Sequence, residues 1–331
     1  MHSRAQAWYG RRTWHWRDWP ADMLLDGKRR AEARISVVIP ARDEERTIAG
    51  VVGSLRAAVV ERVPLVDEVV VIDSDSADGT AAAAARAGAT VHRARDVAPE
   101  LGTYPGKGEA LWKSLLVTEG DLLVFIDADL TQWGPHFVTG LLGPLLADPG
   151  VQLVKGFYAR IATGTDGSTS TEGGRVTELV ARPLLSLWWP ELSGVIQPLA
   201  GEWAARRTLM ESLSIPVGYG VELSTLLDTA ATRGLDAIAQ VDLGSRAHKH
   251  QTDHDLALMA AELLVVAERR CPALGAAEAG GRPAPAGPLL AQFVRDGTQV
   301  RPVTRPVPVQ ERPPAAGQLA GPPASRHGAR R

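Results

Sequence analysis

A single cysteine, Cys271, stands among 331 residues, so the chain forms no internal disulfide and offers no thiolate set for a zinc site. No apolar run reaches the roughly 18 residues that a membrane helix needs. Met1–Pro20 is rich in Trp and Arg and lacks the basic head and apolar stretch of a signal peptide. Excess positive charge is missing too: 36 Lys+Arg stand against 38 Asp+Glu, a formal net charge of -2, which argues against a nucleic-acid partner. No repeat of fixed period is present. These absences predict a cytoplasmic protein in a reducing compartment, without stable membrane insertion.

What is present is a 45% apolar composition, enough for a full core. Charge is unevenly spread, because Pro272–Arg331 carries eight Arg, no Lys and three acids, together with 11 of the 23 prolines. Proline donates no backbone hydrogen bond, so residues 271–331 are expected to form a Pro/Ala/Gly/Arg-rich, mobile tail outside the fold. Deleting Arg282–Arg331 should then leave turnover and melting temperature nearly unchanged. Residues 1–34 form an arm with four of the nine tryptophans, Trp8, Trp14, Trp16 and Trp19, and so many large rings predict packing on the body or on a partner subunit.

Between the ends, short β-branched runs alternate with Ala/Leu-rich stretches. Ile35–Ile39, Glu68–Ile72, Leu122–Ile126 and Val151–Gly156 read as strands buried on both faces. Glu44–Ala58, Ala77–Ala87, Lys107–Thr118 and Pro135–Leu146 read as helices, the second capped by Asp75 or Ser76 and stopped by Gly88. Strand and helix in alternation predict an α/β fold with a mainly parallel, Rossmann-like sheet flanked by helices. Ligands of such sheets lie at the carboxyl ends of the strands.

Acids gather at that edge: Asp43-Glu44-Glu45 after the first strand, Asp73-Ser74-Asp75-Ser76 after the second, Asp127-Ala128-Asp129 after the third. The last can aim two carboxylates at one hard cation carrying a diphosphate, or be a turn with an Asx cap. Gly173-Gly174-Arg175-Val176-Thr177 precedes a helix expected from Glu178 to Leu187. There backbone N–H groups, an Arg fork and a hydroxyl could converge on an anion, or simply cap a helix bearing a surface arginine. The Gly/Ser/Thr-rich run Thr163–Gly173 before it reads as a mobile loop.

The order Ile35–Glu45, Val71–Thr80 and Asp127-Ala128-Asp129 resembles nucleotide-sugar glycosyltransferases of the GT-A fold. Pro105-Gly106-Lys107-Gly108, Gly173–Leu179, Gln197–Glu202, Gly218–Glu222 and Arg246-Ala247-His248-Lys249-His250 narrow the resemblance to the glucosyl-3-phosphoglycerate synthases of actinobacteria, which are retaining enzymes. It covers about Ile35–Arg270 and implies a nucleotide-sugar-binding part, 35–150, followed by an acceptor-binding and metal-completing part, 151–270. Asp129 and His248 would bind Mg²⁺ or Mn²⁺, and Asp129, Glu222 and His248 would form the catalytic set. Pro40, Ala41, Arg42, Glu44, Ser74, Lys107, Asp127 and Ala128 would hold the donor, UDP-glucose. Gly174, Arg175, Val176, Thr177 and His250 would hold the acceptor, 3-phosphoglycerate. His250 stands where an amide is expected, so its charge would vary near neutral pH. The family also favours a homodimer.

The rival readings are a mannosyl-3-phosphoglycerate synthase using GDP-mannose and a non-catalytic sugar-nucleotide sensor. A polyprenyl-phosphate sugar transferase would want an apolar membrane-facing element, and a nucleotidyltransferase a Gly-rich basic loop after the first strand. Neither feature is in the sequence.

Overall fold

The structure, a computed structural model, describes residues 1–163, 169–170, 174–247, 252–271, 287–296 and 299–319. The chain opens with helix α1 (Ser3–Arg12), strand β1 (Thr13–His15) and helix α2 (Ala21–Ala31). Strands β2 (Ile35–Ala41), β3 (Glu68–Asp73), β4 (Thr90–Arg93) and β5 (Leu122–Phe125) then alternate with helices α3 (Ile48–Leu55), α4 (Thr80–Arg86) and α5 (Lys107–Ser114). After α6 (His136–Ala147) come β6 (Leu153–Thr163), β7 (Thr169–Ser170), α7 (Arg182–Trp188), β8 (Trp203–Arg206), α8 (Arg207–Ser212) and β9 (Ile215–Pro216). Helix α9 (Val221–Arg233), strand β10 (Ile238–Ala247) and the long helix α10 (Asp253–Arg270) follow.

The main sheet runs β1-β10-β6-β8-β5-β2-β3-β4, with β7 on β6. Its pairs are parallel except where β8 lies antiparallel between β5 and β6 and where β7 meets β6. Side chains alternate across the sheet with the period of two that strands impose. Val37, Ile39, Val69, Val71 and Val124 enter the core on one face, and Val38, Val70, Ile72, Leu123 and Phe125 the core on the other. The strands are therefore buried on both sides, as their continuous β-branched runs predict.

The first two helices of the sheet start later than expected. Helix α4 begins at Thr80, whose N–H is accepted by Asp78 Oδ1 at 3.0 Å, not by Asp75 or Ser76. Ser76 instead accepts from the Asp43 N–H at 2.9 Å, and Asp75, at φ +59°, pairs with Arg95 at 2.7 Å. The loops after β2 and β3 are thus laced together: Asp43 accepts from the Ala77 N–H at 2.8 Å and the Glu44 N–H donates to Thr80 Oγ1 at 2.8 Å. That lacing also delays α3 to Ile48, and a wider π-helical stretch, Arg56–Arg62, continues it.

The arm packs on its own chain. β1 extends the sheet alongside β10, and Trp8 is fully buried with its indole N–H on the Ile238 carbonyl at 2.9 Å. Trp8→Ala should lower unfolding stability by about 3–5 kcal/mol, measured by denaturant titration.

The tail is the main correction. The described residues 287–296 and 299–319 are not an extended appendage: β11 (Leu289–Asp296) and β12 (Gln299–Pro306) pair antiparallel, and β13 (Glu311–Arg312) pairs with β9, so deleting Arg282–Arg331 should lower the melting temperature, not leave it unchanged. Ala315 is fully buried, and Trp112 Nε1 donates to the Pro313 carbonyl at 2.8 Å. Proline forbids only donation by its own nitrogen. The intervening residues and the proline carbonyls remained able to pair, and composition hid that.

Candidate active site

The carboxyl ends of β2, β3 and β5 open onto a cavity of about 540 Å³. Pro40, Ala41, Arg42, Glu44, Ser74, Lys107, Asp127 and Ala128 all line it, as do Asp129 and Glu222. Parallel strands deliver the first set to one edge. The antiparallel β8 adds to it for the opposite reason, since its entering end, not its exit, lies there and brings Gly201 and Glu202 alongside. β10, again parallel, delivers Arg246 at its exit.

Charge on the floor of the cavity is tightly arranged. Lys107 Nζ lies 2.6 Å from Asp127 Oδ1 and 2.8 Å from Glu222 Oε1. Arg246 reaches Asp127 Oδ2 at 3.2 Å and forms a second, closer ion pair with the fully buried Glu202. Burial alone would depress the Lys107 ammonium, but its two carboxylate neighbours outweigh burial and hold it well above the usual lysine value. Burial would likewise raise the Asp127 carboxyl, yet Lys107 and Arg246 hold it well below the usual range. Asp129 differs: burial, and then the neighbouring Asp127 carboxylate, push its carboxyl up. One acid of the Asp127-Ala128-Asp129 turn is therefore neutralised within the protein, and the other lacks comparable compensation.

Two glycines permit this closeness. A side chain at Gly201 would collide with the Asp127 carboxylate, and one at Gly108 would strike the Pro216 carbonyl. At that second contact the Gly108 N–H donates to the Gly218 carbonyl at 3.1 Å and the Glu109 N–H to the Val217 carbonyl at 2.9 Å. The N-terminus of α5 is thereby seated on the segment that leads to Glu222.

Asp129 supplies a hard oxygen donor whose raised carboxyl a divalent cation would relieve, which fits Mg²⁺ or Mn²⁺ completed by phosphate and water oxygens. Among the described residues no group of three His, Cys, Asp or Glu could hold a metal by itself. His248, Lys249 and His250 lie outside the described residues, as do 164–168 and 171–173 of the expected loop.

Of the acceptor candidates, the described Gly174, Arg175, Val176 and Thr177 do not line this cavity. Arg175, just after Gly174, begins a helical stretch that continues through a π-helical segment, Thr177–Ala181, into α7, and it starts three residues earlier than Glu178. Val176 and Thr177 are buried, whereas Arg175 is exposed and pairs with Asp253.

Several lining residues carried no assigned role in the sequence. Arg246 lies inside a motif already singled out, and a buried cation for Asp127 was a reasonable demand on it; Glu202, inside another, is fully buried behind the lining as the partner of Arg246. Met259 and Glu262 on α10, and Pro308 beyond β12, had no local signal, because they reach the cavity only through the packing of distant segments. Burial pushes the Glu262 carboxyl to about 7, and its Oε2 accepts from the Tyr219 N–H at 2.6 Å.

Residues 36–198 match glycosyl transferase family 2. The chain is 46% identical over 308 residues to a glucosyl-3-phosphoglycerate synthase of Mycobacterium tuberculosis, covering 91% of this chain and 90% of that one. It belongs to the glucosyl-3-phosphoglycerate synthase family. Solved structures of the M. tuberculosis family member agree in fold. One, in complex with Mn²⁺, UDP-glucose and phosphoglyceric acid, has a TM-score of 0.78 at 45% identity and covers 91% of this chain and 95% of that one. Another, with Mg²⁺ and UDP, has a TM-score of 0.80 at 44% identity, with 93% and 99% covered. The parallel-sheet architecture read from the strand and helix alternation is thus the family's fold.

Proposed function

We propose that the protein transfers glucose from UDP-glucose to the 2-hydroxyl of 3-phosphoglycerate, with retention, forming glucosyl-3-phosphoglycerate. The observation that carries this reading is the convergence of all eight donor-site residues with Asp129 and Glu222 on one cavity, in a chain of this family.

Within that cavity Pro40 and Ala41 offer backbone groups to the uracil without bulk, and Glu44 can accept from a uracil N–H. Lys107 anchors Asp127 and Glu222, so the Glu222 carboxylate is held to orient donor hydroxyls. Asp129, with His248 as the resemblance implies, would hold Mg²⁺ or Mn²⁺, which offsets charge on the departing diphosphate. The acceptor hydroxyl approaches the face from which the diphosphate leaves. A departing phosphate oxygen takes its proton, so no separate protein base is required.

Purified protein offered UDP-glucose, GDP-glucose and GDP-mannose against 3-phosphoglycerate tests this directly. Glucosyl-3-phosphoglycerate with released UDP is expected. A mannosyl product with GDP would establish the rival enzyme, and binding without turnover the sensor.

The acceptor assignment has its own test. Arg175→Ala should raise the 3-phosphoglycerate KM roughly ten-fold to a hundred-fold, the worth of about 1.5–3 kcal/mol for a charge-assisted contact. UDP affinity should barely change. The Arg175–Asp253 pair is exposed, so the loss of that pair by itself should cost little stability. Weakened UDP binding with unaltered acceptor binding would move Arg175 to the donor site.

No helix among the described residues is long and apolar enough to cross a membrane. A cytoplasmic location suits two water-soluble anionic substrates. The homodimer rests on the family alone, because the arm's buried tryptophans are spent within their own chain. Sedimentation equilibrium would measure it.

A further inference from the structure

Arg312, in the segment expected to lie outside the fold, is 7% exposed and makes four hydrogen bonds within the chain. Its Nε and Nη2 meet the two Glu109 carboxylate oxygens, each at 2.7 Å. Nη1 donates to the Leu101 carbonyl and Nη2 to that of Gly102, both at 2.9 Å. The guanidinium also lies 4.7 Å from the Tyr104 ring centroid and 4.9 Å from that of Trp112. A planar, always charged fork between two rings and opposite a carboxylate is a task for which lysine is a poor substitute.

What it grips matters for the cavity. Residues 102–106 belong to no strand or helix, yet they lead directly into Lys107, and Pro105 and Gly106 line the cavity. Upstream, the buried Lys113 holds the Val97 and Ala98 carbonyls; downstream, Arg312 holds those of Leu101 and Gly102. Glu109 lies in the first turn of α5, two residues beyond Lys107. The backbone of the same strap pairs with the opposite wall: Arg312 registers with Ile215 and Glu311 with Pro216, and the Val217 N–H donates to the Gln310 carbonyl at 3.1 Å. Val217 leads into Gly218–Glu222. One strap thus joins the two segments whose side chains meet in the Lys107–Glu222 ion pair.

We propose that Arg312 is a positioning residue of the donor site: with β13 it clamps the Leu101–Glu109 segment against the Pro216–Glu222 segment and so sets the placement of Lys107. This rests on the donor reading of the cavity. Small displacements of a positioned group cost large factors in rate, so the clamp should act on chemistry and donor binding as well as on stability.

The test uses the full-length chain as wild type, Arg312→Ala, Arg312→Lys and Glu109→Gln, assayed well below each melting midpoint. UDP affinity should fall about ten-fold in Arg312→Ala, with a comparable loss in kcat and little change in 3-phosphoglycerate affinity. Arg312→Lys and Glu109→Gln should fall between it and wild type, and they decide the matter if Arg312→Ala does not fold. Amide exchange at Gly108 and Glu109 should quicken in every folded variant. Lower melting temperatures with UDP affinity, kcat and these exchange rates all near wild type would overturn the proposal and leave Arg312 a structural anchor. Failure of wild type itself to bind UDP would instead overturn the donor reading, and the exchange rates would still test the clamp.

Discussion

Asp129→Asn is expected to abolish glucose transfer, by at least about a thousand-fold, while the protein keeps its fold. A divalent ion at a leaving diphosphate is worth several kcal/mol of transition-state stabilisation, and each 1.36 kcal/mol is about a factor of ten. The stability of the metal-free protein should move the other way. The Asp129 carboxyl lies above its ordinary value, because burial and then the Asp127 carboxylate disfavour its charge. The native state therefore binds more protons than the unfolded state between the unfolded and native values, so stability falls as pH rises through that window. Above the window the cost is fully present, and the neutral amide removes it. Metal-free Asp129→Asn should accordingly melt at or above metal-free wild type at pH 7, with the difference closing in acid. Mn²⁺ with UDP should raise the wild-type melting temperature and leave that of the variant nearly unmoved. Near-wild-type turnover with a retained metal requirement would remove Asp129 from the metal site.

Lys107→Met should be the most damaging single change in the donor cavity for activity and stability together. The side chain is of similar length, but Asp127 loses one of its two cations and Glu222 its ion-pair partner at 2.8 Å. Removing one member of a buried pair typically costs about 3–5 kcal/mol, because a charge is left uncompensated. Transfer should fall at least about a hundred-fold, since both the positive charge near the diphosphate and the orientation of Glu222 are lost. The sign of the pH dependence distinguishes this from a packing defect. In wild type the depressed Asp127 carboxyl contributes stability above its unfolded value and loses it as pH falls through its native value. In the variant that contribution is largely gone. The gap between the two proteins, read as urea midpoints from neutral pH into acid, should therefore narrow on acidification. A gap independent of pH would show that the lost methylene contacts, not the charge, set the cost.

How far the chain could be read without its tertiary structure differs from element to element. Val37-Val38-Ile39 and Leu122–Phe125 alternate between two cores, so their lack of polar residues betrayed double burial, and parallel topology placed their exits at one edge. The residues proposed for the donor followed from that edge and from the family motifs there, and they line one cavity. The helix ends were less legible. Asp75 and Ser76 both read as local caps, and both are drawn elsewhere: Ser76 joins a loop-to-loop lattice between residues 33–36 positions apart and Asp75 pairs with Arg95.

By itself the sequence determined the α/β alternation, the strand-end site, the family and the residue types that suit a nucleoside diphosphate and a hard cation, because each depends on local periodicity or on short motifs. Only the tertiary structure decided the rest. It used Asp127 as an internally paired carboxylate and left Asp129 as the raised one. It inserted β8 antiparallel, which brings Glu202 to the floor. It also turned the proline-rich segment back so that Arg312 meets Glu109, a contact across 203 positions. Such ion pairs and strand pairings depend on where distant segments return in space, and composition carries no record of that.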